Sequence, residues 1–144
     1  PMGGHDPYSS SKGCAELVTA AYRKSFFNEN NSAFLASARA GNVIGGGDWS
    51  EGRLIPDCVK SWAKNTSVEL RNPMATRPWQ HVLEPLSGYL TLALALQKNS
   101  NLHGEAFNFG PDSPSISVGE VVEIAIKYWP KDSLSEMHQK RLHS

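Results

Sequence analysis

The strongest restriction on the fold comes from an alternation of helical and extended patterns along the chain. Apolar residues recur at helical spacing in four stretches, at residues 7–26, 54–64, 84–98 and 117–129. Short runs of apolar and small residues lie between these stretches, at 33–39, 68–71, 80–83 and 106–109. Strands that alternate with helices are typical of layered α/β proteins with a largely parallel sheet. The sequence therefore predicts an α/β architecture.

Two of these helices have recognisable first turns. Asp6 is a good N-cap and Pro7 suits the first helical position, while Ser117 followed by Glu120 forms a capping box. Residues 41–52 and 72–78 are rich in turn formers and are predicted to be loops. The first helix is expected to bury an apolar stripe, formed by Leu17, Val18, Ala21, Tyr22 and Phe26.

Composition excludes several classes of function. The chain has 144 residues, which suffices for one domain with its own core, and its formal net charge is zero. A balanced charge gives no electrostatic reason to expect nucleic acid or an acidic membrane surface as a partner. The two cysteines, Cys14 and Cys58, belong to no paired motif, and the five histidines lack ligand spacing. We therefore expect a cytoplasmic protein with reduced thiols and no bound metal.

The residues most suggestive of chemistry are Tyr8 and Lys12. Four positions apart on a helix, they lie on one face, so the ammonium group is placed to act on the phenol. A free phenol has a pKa of about 10 and is a poor base at neutral pH, whereas a fixed positive neighbour favours the phenolate. Such a pair suits proton transfer in alcohol and ketone chemistry. The alternative is an exposed helical face that carries a solvated lysine.

A site for a whole dinucleotide is not recognisable in this chain. Such a site needs a glycine-rich turn, G-x-G-x-x-G, between a strand and a helix. The glycine runs at Gly3–Gly4 and Gly45–Gly47 do not have that spacing. Either the chain never binds such a cofactor, or it is the later portion of a longer protein.

Five ordered motifs favour the second interpretation. In chain order they are PMGGHDPYSSSKGCAELV, ARAGNVIGGGDW, RLIPD, RPWQHVLEPL and NFGP. Together they resemble the extended short-chain dehydrogenase/reductase family, also known as NAD-dependent epimerases/dehydratases, over roughly residues 1–129. Within that family, the five motifs are similar to those of nucleotide-sugar 4,6-dehydratases that act on CDP-glucose.

This resemblance implies a Rossmann-like, doubly wound parallel sheet whose N-terminal, dinucleotide-binding half is missing from the chain. Residues 1–130 would be the end of that fold plus the substrate-binding region, and residues 131–144 a polar tail. NAD would be the cofactor, and the family commonly forms homodimers or homotetramers. A sheet without its first strands would expose apolar faces, so marginal stability or self-association is expected of the isolated chain.

The resemblance also assigns roles to individual residues. Tyr8 would take the proton of the sugar C4 hydroxyl, while Lys12 would hold the nicotinamide ribose and stabilise the phenolate. Asn42 would lie beside the sugar and the nicotinamide. The other residues implied to contact the substrate are Arg77 and Asn108 at the diphosphate, Arg53 and Arg71 at phosphate or ribose, Leu54 along the base and His81 in the pocket wall. For each of these, an ordinary structural role is the alternative.

The implied reaction oxidises C4, eliminates water across C5 and C6, and returns hydride to C6. The acid and base groups that drive elimination in this family precede the point where the chain begins, and Asp6 is expected to cap its helix instead. The isolated chain is therefore expected to be inactive. A nucleotide-sugar epimerase or reductase of the same family, or a non-catalytic nucleotide-sugar-binding fragment, remains an alternative.

Overall fold

The computed structural model describes residues 3–27 and 33–130, and the predicted polar tail at 131–144 lies outside the described residues. In chain order the elements are α1 (Pro7–Phe26), β1 (Ser37–Ala40), β2 (Val43–Ile44), α2 (Leu54–Ala63), β3 (Thr76–Arg77), β4 (Gln80–His81), α3 (Leu83–Lys98), a 3-10 turn (Ser100–Leu102), β5 (Ala106–Phe109), β6 (Ile116–Ser117) and α4 (Val118–Lys127). This alternation of helices and strands confirms the predicted α/β class.

The described residues divide into two compact units. Unit 1 contains the described parts of Pro1–Ala40 together with Leu83–Phe109, and unit 2 contains Gly41–Val82 together with the described part of Gly110–Ser144. Each unit therefore draws on two separate segments of the chain.

The first turn of α1 forms as the sequence predicts. Asp6 Oδ1 accepts a hydrogen bond from the Ser9 backbone N–H at 2.9 Å, and Pro7 occupies the first turn. The Ser9 hydroxyl donates to the second carboxylate oxygen at 2.6 Å. Hydrogen bonds from Ser9 lower the pKa of Asp6, because they favour its charged form. Asp6 is thus the helix cap.

Unit 1 places one helix on each face of a parallel strand pair. Strand β1 pairs with β5 in the register Arg39 to Asn108 and Ala40 to Phe109. Successive residues of a strand point to opposite faces, so Arg39 and Asn108 share one face and Phe109 lies on the other. The Phe109 ring packs edge-on against Tyr89 of α3, with ring centroids 5.3 Å apart.

The contact between α3 and β5 depends on a glycine. A Cβ atom added at Gly88 would lie 2.3 Å from the Phe109 ring, so a side chain there would collide with that ring.

At the opposite end of the strand pair, the His103 ring joins two backbone segments. Its Nδ1 accepts from the Leu35 N–H at 3.1 Å, and Nε2 lies 2.7 Å from the Phe27 carbonyl oxygen.

Unit 2 contains the most deeply buried side chains of the described chain. Cys58 and Trp62 on α2 and Val121 on α4 are buried, and the Trp62 and Trp129 rings lie 5.6 Å apart between centroids. Helix α4 begins at the predicted capping box, in which the Ser117 hydroxyl and the Glu120 carboxylate each bond the other residue's backbone N–H. Strand β2 pairs in parallel with β4, and β3 pairs antiparallel with β6.

Several details differ from the sequence-based expectations. The predicted strand at 68–71 is wrong, because these residues have an irregular backbone. The two predicted loops contain the short strands β2 and β3, each only two residues long and paired with a distant segment. Strand β1 is mostly exposed and has only β5 beside it among the described residues.

The largest difference concerns α1. Its expected buried stripe is largely exposed, with more than half of the surface of Leu17, Val18, Tyr22 and Phe26 accessible. Gly13 is the buried residue of this helix. The helical spacing of the apolar residues was predicted correctly, but nothing in the described part of unit 1 covers them.

Candidate active site

The predicted catalytic pair lies on the first two turns of α1. The Lys12 ammonium nitrogen lies over the Tyr8 ring, 5.3 Å from its centroid. This position follows from the spacing of four residues, which places one side chain above the other on the helix surface. Tyr8 is 69% exposed, so the described residues leave most of its side chain open to solvent. The ammonium group thus lies over the ring of an exposed tyrosine, and the catalytic role of the pair stays a prediction.

A polar cluster farther along α1 was missed by the sequence analysis. Arg39 Nε on β1 donates to Glu16 Oε1 at 2.6 Å, and Arg39 Nη1 donates to Asn108 Oδ1 at 3.4 Å. The hydrogen bond from Arg39 lowers the pKa of Glu16, and the same bond raises the pKa of Arg39. Asn108, which is predicted to contact the diphosphate, therefore accepts a hydrogen bond from an arginine side chain. The available signal was Glu16 itself, one helical turn beyond Lys12.

Asn42 and His81 are brought near each other by the pairing of β2 with β4. Asn42 immediately precedes β2, and its carbonyl oxygen accepts from the Gln80 N–H at 3.0 Å. His81 is opposite Ile44 in the register of the same strand pair. Two predicted pocket residues thus lie on adjacent, hydrogen-bonded segments of unit 2.

Two glycines of the ARAGNVIGGGDW motif allow the segments that contain β2 and β4 to lie close together. A Cβ atom at Gly41 would lie 2.7 Å from Pro78 Cγ, and one at Gly45 would lie 2.7 Å from Val82 Cγ1. Larger residues would push the two segments apart and displace Asn42 relative to His81. The glycines therefore serve close backbone approach, which the sequence spacing alone did not show.

The loop before α2 is fixed by its own polar contacts. Asp48 Oδ1 accepts from the Ser50 N–H at 3.0 Å, and Lys60 Nζ donates to the Trp49 carbonyl at 2.8 Å. Arg53 Nε lies 3.8 Å from Asp48 Oδ2, and the hydrogen bonds from Ser50 lower the pKa of Asp48. Arg53 occupies the N-cap position of α2 and Leu54 is its first residue, so both are at the end of a well-defined loop.

The other two arginines that are predicted to contact the substrate also lie in unit 2. Arg77 is on β3 opposite Ile116, and its Nη1 donates to the Thr76 carbonyl at 2.8 Å. Arg71 is at an exposed bend after the irregular segment. Both guanidinium groups are on exposed residues, which is compatible with anion binding. Their roles stay predictions.

Two kinds of feature are absent from residues 3–27 and 33–130. There, no helix combines the length and the apolarity needed to cross a membrane. No group of three or more His, Cys, Asp or Glu side chains within residues 3–27 and 33–130 is placed to hold a metal ion.

Comparisons with known proteins place this geometry in a recognised class. No protein-family model matches the chain. The chain is 53% identical to the CDP-glucose 4,6-dehydratase of Salmonella typhimurium over 92% of its own length, and it spans 38% of that enzyme. It is also similar to the dTDP-glucose 4,6-dehydratase of Bacillus anthracis in complex with NAD, with a TM-score of 0.65 and 26% identity over 85% of this chain and 36% of that one.

Two further solved structures are similar in fold. The dTDP-glucose 4,6-dehydratase of Streptomyces venezuelae has a TM-score of 0.71 at 23% identity, over 88% of this chain and 36% of that one. The UDP-N-acetylglucosamine 4-epimerase of Methanobrevibacter ruminantium has a TM-score of 0.61 at 18% identity, over 83% and 36%. The described residues therefore have the fold found in part of the nucleotide-sugar dehydratases and epimerases. The sequence similarity and the shared fold agree with the resemblance to extended short-chain dehydrogenases/reductases that the five motifs carry.

Proposed function

We propose that the chain is the substrate-side portion of a CDP-glucose 4,6-dehydratase, a hydro-lyase that converts CDP-glucose to CDP-4-keto-6-deoxyglucose. The observation that carries this proposal is the 53% identity to the Salmonella typhimurium enzyme, which extends over 92% of the chain. The Tyr8–Lys12 pair supplies the chemistry that such a reaction requires of this portion. The product would serve deoxysugar biosynthesis.

The cofactor of the longer protein would be NAD, which when bound supplies the hydride acceptor for C4 oxidation and the hydride donor for reduction at C6. This chain would contact the nicotinamide end of that cofactor. Lys12 would donate to the nicotinamide ribose, and its ammonium charge would stabilise the Tyr8 phenolate. The Tyr8 oxygen would then take the proton from the C4 hydroxyl. Asn42 would contact the sugar and the nicotinamide, the role that the resemblance implies for it.

The substrate would be gripped mainly through its diphosphate. Arg77 would bind phosphate oxygens with its planar guanidinium group, which keeps its charge at any working pH. Asn108 would donate from its amide while its Oδ1 accepts from Arg39. Arg53 and Arg71 would add contacts to phosphate or ribose, Leu54 would lie along the base, and His81 would form part of the pocket wall.

The exposure of Tyr8 agrees with an active site that this chain and the rest of a longer protein would form together. A charged intermediate is stabilised best where water is excluded, and the described residues do not enclose the Tyr8 ring. The walls of the site and the elimination acid and base would come from the rest of a longer protein, because the chain spans only 38% of its relative. We therefore expect the isolated chain to be inactive.

We further propose a cytoplasmic homo-oligomer, a dimer or tetramer, that has no nucleic-acid or membrane partner. The exposed apolar side of α1 supports self-association. The free cysteines, Cys14 and Cys58, suit a reducing compartment.

The test is a chimeric protein in which this chain replaces the matched region of the Salmonella typhimurium enzyme. With CDP-glucose and NAD, the chimera should form a 4-keto-6-deoxy sugar, which is detected by its ultraviolet absorbance in alkali. Tyr8→Phe should lower kcat about 100-fold or more, as expected when a general base is removed. Tyr22→Phe, on the same helix, is the matched control and should leave kcat unchanged.

Other outcomes would favour the alternatives. A C4 epimer as the product would indicate an epimerase, to which the chain is also similar in fold. Tight binding of CDP-glucose without turnover, in a folded chimera, would indicate a non-catalytic binding segment.

A further inference from the structure

The ion pair between Glu16 and Arg39 joins two elements that carry different parts of the proposed site. Glu16 is on α1, which carries Tyr8 and Lys12, and Arg39 is on β1, which pairs with the strand of Asn108. The Nε–Oε1 distance of 2.6 Å is that of a short, charge-assisted hydrogen bond. The two residues are separated by 23 positions, so the contact is tertiary rather than local.

Arg39 lies on the face of β1 that is turned towards Glu16, since its Nε donates to Glu16 Oε1. This hydrogen bond is the largest cause that lowers the pKa of Glu16. Arg39 also reaches across the strand pair, because it is directly opposite Asn108 in the register and its Nη1 donates to Asn108 Oδ1. One guanidinium group therefore holds a helix residue and a strand residue at once.

Stability alone does not explain this arrangement. The side chains of Arg39 and Glu16 remain 45% and 23% exposed, and exposed ion pairs contribute little to folding. The ion pair can instead act by fixing the orientation of α1. Tyr8, Lys12 and Glu16 follow one another at spacings of four residues, so fixing Glu16 also limits how α1 rotates about its axis. Small displacements of a reacting group cost far more in rate than a surface ion pair contributes to stability.

We propose that Arg39 is a positioning residue of the dehydratase, which fixes the helix that carries Tyr8 and Lys12 relative to the strand that carries Asn108. This inference rests on the proposed function. Arg39 touches neither the reacting pair nor, in this assignment, the substrate. It acts through Glu16 on the catalytic helix and through Asn108 on the diphosphate grip.

The first part of the experiment uses the chain itself and requires no activity. Amide hydrogen exchange of the first three turns of α1 is compared in the wild type, Glu16→Gln, Arg39→Met and the double variant. Loss of the ion pair should speed exchange there by about two- to fivefold, the range that an exposed pair provides. The double variant should be no faster than Arg39→Met. The matched control is Lys24→Met, an exposed cation on the same helix, which should leave these amides unchanged.

The second part uses the chimera described above and separates kcat from KM. Glu16→Gln should lower kcat about tenfold with little change in KM, because it frees the helix alone. Asn108→Ala should mainly raise KM for CDP-glucose. Arg39→Met should change both parameters, and Arg39→Lys should restore kcat but not KM, since one ammonium group reaches one partner. The reversed pair, Glu16→Arg with Arg39→Glu, should recover most of kcat.

Each result bears on the proposal in one direction. Faster exchange together with the kcat and KM split supports it. Normal kcat and KM for Arg39→Met in an active chimera would overturn the positioning role alone, and so would unchanged exchange of α1. A fall in kcat that follows only a lower melting temperature would also overturn it. A folded but inactive wild-type chimera would overturn the proposed function, and with it the role of Arg39.

Discussion

The helices of the two units differ in what lies against their apolar sides. In unit 2, Cys58 and Trp62 on α2 and Val121 on α4 are buried within the unit. In unit 1, α1 buries only Gly13 and α3 only Pro85 within the described residues, although both helices carry apolar residues at regular helical spacing. Apolar periodicity thus predicts that a helix side requires a cover, but it does not say whether the same chain supplies that cover.

The difference also separates the two kinds of proposed residue. The reacting pair, Tyr8 and Lys12, lies on the helix whose apolar side is open. The pocket residues Asn42 and His81 lie in unit 2, on a strand pair fixed by close glycine contacts. The strand pair that carries Asn42 and His81 is thus held by contacts within unit 2, whereas the described residues leave the Tyr8 side chain largely exposed.

The largest expected effect is loss of the buried core of unit 2. Trp62 is 4% exposed and packs against Trp129, so Trp62→Ala should lower the free energy of unfolding by about 3–5 kcal/mol. Urea unfolding followed by far-ultraviolet circular dichroism measures the change. Trp49→Ala is the matched control, since this side chain is 61% exposed and should matter by roughly 0.5 kcal/mol or less. Equal effects of the two substitutions would contradict the burial of Trp62 in the core of unit 2.

A smaller effect is expected where unit 1 is well packed. Gly88→Ala adds a methyl group 2.3 Å from the Phe109 ring, and overpacking of this kind costs about 1–3 kcal/mol. Alanine also gains about 1 kcal/mol of helix propensity over glycine, so a net loss of about 1 kcal/mol is expected. Phe109→Leu in the same chain should relieve the collision. If Gly88→Ala were instead stabilising in urea unfolding, the contact between α3 and β5 would be looser than described.

The open side of α1 should be nearly silent in the same assay. Leu17 is 57% exposed, so Leu17→Ala should change the free energy of unfolding of the monomeric chain, at low protein concentration, by roughly 0.5 kcal/mol or less. A buried leucine at a helical position would cost about 2–5 kcal/mol. A loss of that size would show that something covers α1 in solution. Repeating the unfolding at several protein concentrations would then reveal whether the cover is a second copy of the chain.

Local features of the fold were predictable from the sequence, and long-range ones largely were not. The cap at Asp6 and the capping box at Ser117 and Glu120 depend on residues three positions apart, so they can be recognised within a single turn. The two-residue strands β2 and β3 have no local signal, because each exists only through pairing with a distant segment. Residues 68–71 have strand-like composition but an irregular backbone.

The same distinction applies to the candidate site. Tyr8 and Lys12 form a helical pair that spacing alone predicts, and the Lys12 ammonium nitrogen lies 5.3 Å from the centre of the Tyr8 ring. The catalytic role of the pair stays a prediction. The link from Glu16 through Arg39 to Asn108 spans three elements, and its members are ordinary charged or amide residues. Only the register of β1 with β5 brings them together. The motif resemblance predicts a role for Asn108 but does not indicate that Arg39 contacts it.

The smallest predicted effect compares the first turns of α1 and α4. Hydrogen bonds from Ser9 and Ser117 lower the pKa of Asp6 and Glu120 respectively. A carboxylate whose pKa is lower in the folded state stabilises the fold above its unfolded pKa, and this contribution is lost as the pH falls through the folded value. Glu120→Gln keeps a capping side chain but cannot titrate, so it should flatten the loss of stability between about pH 5 and pH 3. Asp6→Asn should do the same for α1. Helix α4 packs within unit 2, whereas the apolar side of α1 is exposed. The melting temperature across this pH range should therefore change more with Glu120→Gln than with Asp6→Asn. Equal changes would mean that both helices unfold as one cooperative structure.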